Sequence, residues 1–109
     1  FINNSGANII IARSSTSSFQ GFEANIIGVR SGGSAAGSVN DRIFLRVTGI
    51  VYLKVVDETV STLGSFGTVT GWTSGVVFTD VNDMHLSVTG AANMNISWSA
   101  TVNFYEMKL

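Results

Sequence analysis

The closing stretch of the chain, Val88 to Leu109, reads V-T-G-A-A-N-M-N-I-S-W-S-A-T-V-N-F-Y-E-M-K-L, and it decides the fold class. From Ile96 to Phe104 every second residue is apolar (Ile96, Trp98, Ala100, Val102, Phe104), and the residues between them, Asn95 to Asn103, are polar. Successive strand side chains point to opposite faces, so the pattern predicts a long, half-buried β-strand with Trp98 on its core side. At 3.6 residues per turn the same residues would encircle a helix and give it no apolar face. After Phe104 the alternation changes phase, and Tyr105, Met107 and Leu109 become the apolar positions. Such a flip predicts a bulge, or a segment whose other face meets a partner chain, and it makes Tyr105, Met107 and Leu109 the candidate subunit interface.

Working back from this strand, the remaining chain shows the same short-range β character. Asn8 to Arg13 is a β-branched run that ends at the serine cluster Ser14 to Ser18, and Phe22 to Arg30 is a strand with Phe22, Ala24 and Ile26 on one face. Ser31 to Asn40 (S-G-G-S-A-A-G-S-V-N) holds nothing large enough to anchor a core and is expected to be an exposed, mobile connection. It lacks the lysine and following helix of a phosphate-binding loop. Asp41 to Val56 is the most apolar stretch, expected to be buried on both faces, with Gly49 as a bulge or bend between sheets. Asp57 and Glu58 are expected to open a turn before a strand at Thr59 to Leu63. Four glycines from Gly64 to Gly75 then describe a loop pinned by Phe66 and Trp72. Val76 to Val81 and Met84 to Val88 complete the series. The spacing predicts one all-β domain over residues 1–109, an antiparallel β-sandwich of jelly-roll type with about seven or eight short strands.

Composition narrows the function. The 109 residues carry a formal charge of −1, with only 12% charged and 45% hydrophobic residues, a weakly charged surface that implies some coverage by partners. Six scattered basic residues give no electrostatic footprint for nucleic acid or an anionic membrane. No apolar run approaches the roughly 20 residues of a membrane span, and no cleavable signal peptide is expected. The absence of cysteine removes disulfides and thiol chemistry, and with no proline the turns fall to twelve glycines and to Ser, Asn and Asp.

Few residues are equipped for catalysis. His85 is the one histidine, on the polar side of its strand, and the close acidic pairs Asp57/Glu58 and Asp80/Asp83 occupy turn-like positions. The expectation is a non-enzyme with no cofactor and no metal. D-V-N-D at Asp80 to Asp83 offers oxygen ligands without the spacing of a calcium loop. The better candidate is a ligand platform made of Trp72 with Asp80, Asn82, Asp83 and His85, where an indole and Asx side chains together suit a sugar. Trp72 is open between this role, a loop anchor and an interface residue.

Gly71-Trp72, Asn82 to His85 and V-T-G-A-A-N-M-N-I-S-W-S-A-T-V-N-F-Y-E together resemble the closing segment of a β-rich domain of tailed-bacteriophage virion proteins, of the tail fibre or structural protein type. A-R-S-S-T-S-S-F-Q-G-F-E-A-N-I-I-G-V-R resembles that family's entry segment more loosely. Ser99, where a larger apolar residue is expected, and M-K-L after Glu106 depart from the pattern. The resemblance implies a non-enzymatic module of the virion, in a tail fibre, tail tip or capsid decoration, commonly a homotrimer. Its partners would be its own copies, other virion proteins and a host-surface glycan. The alternative is a carbohydrate-binding module built on Trp72 and the Asp80 to His85 turn.

Overall fold

The structure is a computed structural model. It describes residues 2–3, 6–13, 18–52, 55–78 and 83–108, with side chains described over 20–52, 55–76 and 85–107. Among the described residues there are eight strands: β1 (Ile2–Asn3), β2 (Gly6–Arg13), β3 (Ser18–Gly32), β4 (Arg42–Tyr52), β5 (Val55–Phe66), β6 (Thr73–Phe78), β7 (Asp83–Thr89) and β8 (Asn95–Lys108). They form two antiparallel sheets, one ordered β1-β8-β3-β4-β5 and one ordered β2-β7-β6. The all-β sandwich is as the alternation requires, although a jelly roll's two equal sheets are replaced by a division of five and three.

Period-two alternation builds the core. On the inner face of the large sheet β3 places Phe22, Ala24 and Ile26, β4 places Ile43, Leu45, Val47 and Val51, and β8 places Ile96 and Trp98. Leu86 and Val88 of β7 close the core from the small sheet. Each fully buried side chain of this size contributes about 1.5–3 kcal/mol. Gly28 keeps this packing tight, because a Cβ there would lie 2.6 Å from the Trp98 ring, which lies across β3.

Several expectations are corrected. The strands are long: β3 runs 15 residues and β8 14, which draws the molecule out to 50 × 25 × 17 Å. Asp41 to Val56 is not one doubly buried strand. It is β4 plus the start of β5, with Tyr52 opposite Val55, and β4 alternates buried and exposed residues. The run looked doubly buried because the solvent face of β4 carries Phe44 and Ile50. Gly49 makes no bulge and keeps regular pairing with Phe22 and Glu58, while the irregularity lies at Phe44/Leu45. Glycine is required at 49 by close approach, since a Cβ would lie 2.8 Å from the Phe22 ring and 2.5 Å from the Asp57 carbonyl oxygen. Asp57 and Glu58 are strand residues of β5, held there by pairing with Ile50 and Gly49.

The glycine-rich connection between β3 and β4 is organised by a buried cation. Arg30, 3% exposed, donates from Nε to the Gly32 carbonyl (3.0 Å), from Nη1 to Ala36 (2.7 Å) and from Nη2 to Gly33 and Ala35 (3.1 and 2.8 Å). Buried Asp41 accepts the Ser38 amide at 2.8 Å, and the Ala35 amide donates to the Asn93 carbonyl at 3.1 Å. A buried charge needs such pairing to be tolerated. Small residues leave the loop carbonyls accessible to the guanidinium, so a stretch with no anchor of its own is anchored by the strand before it.

Candidate functional site

The ligand platform expected around Trp72 is not assembled. A turn in which the Trp72 amide donates to the Val69 carbonyl at 3.1 Å carries the indole inward, where it is 4% exposed. Its ring meets Trp98 edge-on, with centroids 6.0 Å apart and planes at 61°. This is the favoured aromatic geometry, and it makes Trp72 a loop anchor with no face free for stacking. His85 is half-buried in the middle of β7, opposite Ile10 and Val77, and Asp83 begins the same strand opposite Arg13. Trp72 precedes Thr73, which pairs with Thr89, so four residues of β7, about 13 Å, separate that level from His85. Asp80 and Asn82 lie outside the described residues, as does Leu109.

The interface candidates Tyr105 and Met107 are each 64% exposed. The phase flip that singled them out is not a bulge. β8 stays in register with β3 from Ser97 to Lys108, with Gly21 opposite Tyr105 and Phe19 opposite Met107, and its register shift is at Arg30/Gly32. Beyond Phe104 the apolar residues simply move to the outer face, the one turned away from the small sheet.

That outer face carries more apolar surface than sequence reasoning found. Following the register across β8, β3, β4 and β5, one row reads Tyr105, Gly21, Ile50, Asp57. Ile50 is exposed like Tyr105, and glycine at 21 leaves an open gap between them. Toward the other end a row reads Ser99, Ile27, Phe44, Gly64, and the next reads Ser97, Val29, Arg42, Phe66. Ile27, Phe44 and Phe66 are exposed, and together with Arg42 and Gly64 they line an open cleft. The Arg42 guanidinium sits 4.5 Å above the Phe66 ring, a cation–π contact that holds the ring against the sheet.

Between the two apolar ends runs a polar belt. Arg46 donates from Nε to Asn25 Oδ1 at 3.0 Å and lies 3.8 Å from Glu23 Oε1, to which Asn25 Nδ2 donates at 3.3 Å. These exposed contacts add little stability, but they fix the orientation of three polar side chains on a flat surface. The outer face is therefore built as apolar, polar, apolar along the strands. The signal for it lies in the continuous apolarity of Asp41 to Val56, a run expected to be buried on both faces, of which Phe44 and Ile50 form the uncovered one.

No protein-family model matches the chain, and no curated protein matches it. Among solved structures it is similar to the tailspike protein of Acinetobacter phage vB_ApiP_P1, with 14% sequence identity and a TM-score of 0.49 over 96% of this chain and 21% of that one. The chain thus spans about a fifth of the length of that tailspike.

Proposed function

We propose that this chain is a non-enzymatic structural or adhesion module that works by assembling with copies of itself and with other virion proteins through the outer face of its large sheet. The observation that carries the reading is the exposure of six large apolar side chains in two groups on one face, Ile27, Phe44 and Phe66 at one end and Ile50, Tyr105 and Met107 at the other. Contiguous apolar surface with a polar surround is characteristic of interaction sites. Burying one such side chain completely contributes about 1.5–3 kcal/mol. Three of them together contribute about 4.5–9 kcal/mol, short of the upper part of the roughly 4–15 kcal/mol cost of association, so both ends are engaged together and the polar belt sets the register between partners.

The tailed-phage virion setting rests on the resemblance of the C-terminal segment, and with it the homotrimer as the expected count. With the Trp72 ring buried, the carbohydrate-module alternative lacks the platform it was drawn from. Sedimentation equilibrium over a concentration series tests the reading. The chain is expected to self-associate, and Phe44→Ser combined with Phe66→Ser is expected to weaken association about tenfold or more while leaving the circular dichroism unchanged. A chain that stays monomeric throughout the series, or an association indifferent to these changes, overturns it.

A further inference from the structure

The outer face of the large sheet differs from end to end in charge and in relief. Its belt consists of two rows across β8, β3, β4 and β5, one reading Asn103, Glu23, Thr48, Thr59 and the other Thr101, Asn25, Arg46, Ser61. Exposed Arg42 makes the end with the cleft basic, and exposed Asp57, beside Ile50, makes the Tyr105 end acidic. The belt repeats that polarity, because Arg46 lies in the row nearer Arg42 and Glu23 in the row nearer Asp57. In relief the two rows that flank the belt are complementary. Tyr105, Gly21, Ile50, Asp57 is low only at its second place, and Ser99, Ile27, Phe44, Gly64 is low at its first and last. Both glycines are open gaps, since a Cβ at Gly64 would meet nothing within 4 Å and one at Gly21 nothing nearer than 3.9 Å.

We infer that a second copy of this chain packs face to face on this surface with its strands reversed, about a two-fold axis that lies between the two sheets and crosses the strands between the two belt rows. The inference rests on the self-assembly reading above and names the partner and its orientation at that same surface. Reversal lays the Tyr105 row on the Ser99 row of the other copy. Ile27 then enters the gap at the partner's Gly21, Tyr105 covers the partner's Ser99, Asp57 fills the gap at the partner's Gly64, and Phe44 lies against the partner's Ile50. Farther out, exposed Val55 comes over the partner's Phe66, which is also exposed. The charges fall in register with the shapes. The Arg42 guanidinium leans over the Phe66 ring, toward β5, and the partner's Asp57 arrives one row away on that side. Within the belt the row of Glu23 meets the row of the partner's Arg46. Complementary charges of this kind fix orientation and suppress wrong pairings.

Packing with the strands in the same direction fails on both counts. About a two-fold or a three-fold axis along the strands, every row meets its own copy. Arg42 is then brought to the partner's Arg42, and Arg46 to the partner's Arg46. In the two-fold case Ser99 also falls on the partner's Gly64, which sets small on small and leaves a void. The reversed contact is an aligned stacking of two sheets about 10 Å apart, with interdigitating side chains. Four strands spaced about 4.8 Å and the 11 residues of β4 make a face of about 600 Å² per copy, or about 1,200 Å² in all, the lower bound of a stable interface. The contact is isologous and closes on two copies, so the homotrimer implied by the resemblance would need a further surface.

The chain has no cysteine, which gives cross-linking a clean background. Phe44→Cys mixed with Ile50→Cys is expected to cross-link through a short bismaleimide, and neither variant is expected to do so alone. In the reversed packing each of these positions lies three rows, about 20 Å along the strands, from its own copy. Asp57→Lys and Arg42→Glu are each expected to weaken association about tenfold in sedimentation equilibrium, with circular dichroism unchanged. Mixing those two variants is expected to restore association, because each new charge then faces its opposite. Suppose instead that the chain associates and that Phe44→Ser with Phe66→Ser abolishes the association, but that Phe44→Cys cross-links to itself, the cysteine mixture does not cross-link, or the charge mixture is not restored. Any of these three results overturns the reversed packing and leaves the outer-face reading standing. A wild-type chain that does not associate, or that associates regardless of the Phe44 and Phe66 changes, overturns both.

Discussion

The two ends of the large sheet are built from the same strands and finished in opposite ways. At one end β3, β4 and β8 run under loops, and the space beneath those loops is filled by Trp72, Trp98 and Met94 and by the buried Arg30 and Asp41. At the other end the strands carry Gly21, Ile50 and Tyr105 on the outer face with no described loop folded over them. The first end is a core that happens to be partly polar. The second is a surface that happens to be apolar. The contrast separates the two uses of an apolar residue here: beneath the loops it lowers the energy of the monomer, and on the outer face, at either end, it is left for a partner.

Emptying the closed end should have the largest effect. Trp72→Ala removes a buried indole and its edge contact with Trp98. Truncations of this kind cost about 3–5 kcal/mol. Urea unfolding followed by circular dichroism is expected to show a loss of this size. A variant as stable as wild type would mean that Trp72 is not packed as an anchor and would reopen its reading as a ligand platform.

Arg30→Met is next. The thioether fills some of the space, but the bonds to the carbonyls of Gly32, Gly33, Ala35 and Ala36 are lost. Hydrogen bonds to a charged donor are worth about 1.5–3 kcal/mol each, and near the surface some of these carbonyls regain water, so a net loss of about 3 kcal/mol is expected. Amide hydrogen exchange gives the sharper measure. The Ser38 amide, bonded to Asp41, and the Asn40 amide, bonded to the Arg30 carbonyl, should lose protection before the β3–β8 ladder does. Uniform loss across the molecule would show that the loop has no separate stability, which breaks the distinction between a pinned loop and a rigid sheet.

How much of this was legible in the sequence follows from the range of the interactions. The alternation from Ile96 to Phe104 is local, so the strand and the inward face of Trp98 could be read directly. Arg30 could be read only as the end of a strand, because its acceptors belong to a loop that must first fold back over it. Trp72 stayed ambiguous for the same reason, since its burial depends on Trp98, far along the chain. The outer face was misassigned where its residues are apolar. Phe44 and Ile50 look like core in a sequence, because periodicity reports which residues share a face and not whether that face is covered. The phase change at Tyr105 marks a true change of surface, and of its two expected causes the bulge is absent.

The smallest effect on folding should come from the open end, and its size is what gives the comparison its meaning. Tyr105→Ser combined with Met107→Ser leaves the inner side of β8 untouched. Phe104 still packs against Phe22, with ring centroids 6.4 Å apart, and Glu106 still accepts a hydrogen bond from Gln20 Nε2 at 3.3 Å. Register is held from that side, so the monomer should keep its stability to within about 0.5 kcal/mol, as for surface positions generally. Association should fall in the same variant. Measured at a concentration low enough to keep wild type and variant dissociated, unfolding compares the two monomers directly, because association would otherwise raise wild-type stability by mass action. A loss of several kcal/mol under those conditions would make Tyr105 and Met107 part of the core, and the open end would then be closed in the monomer itself.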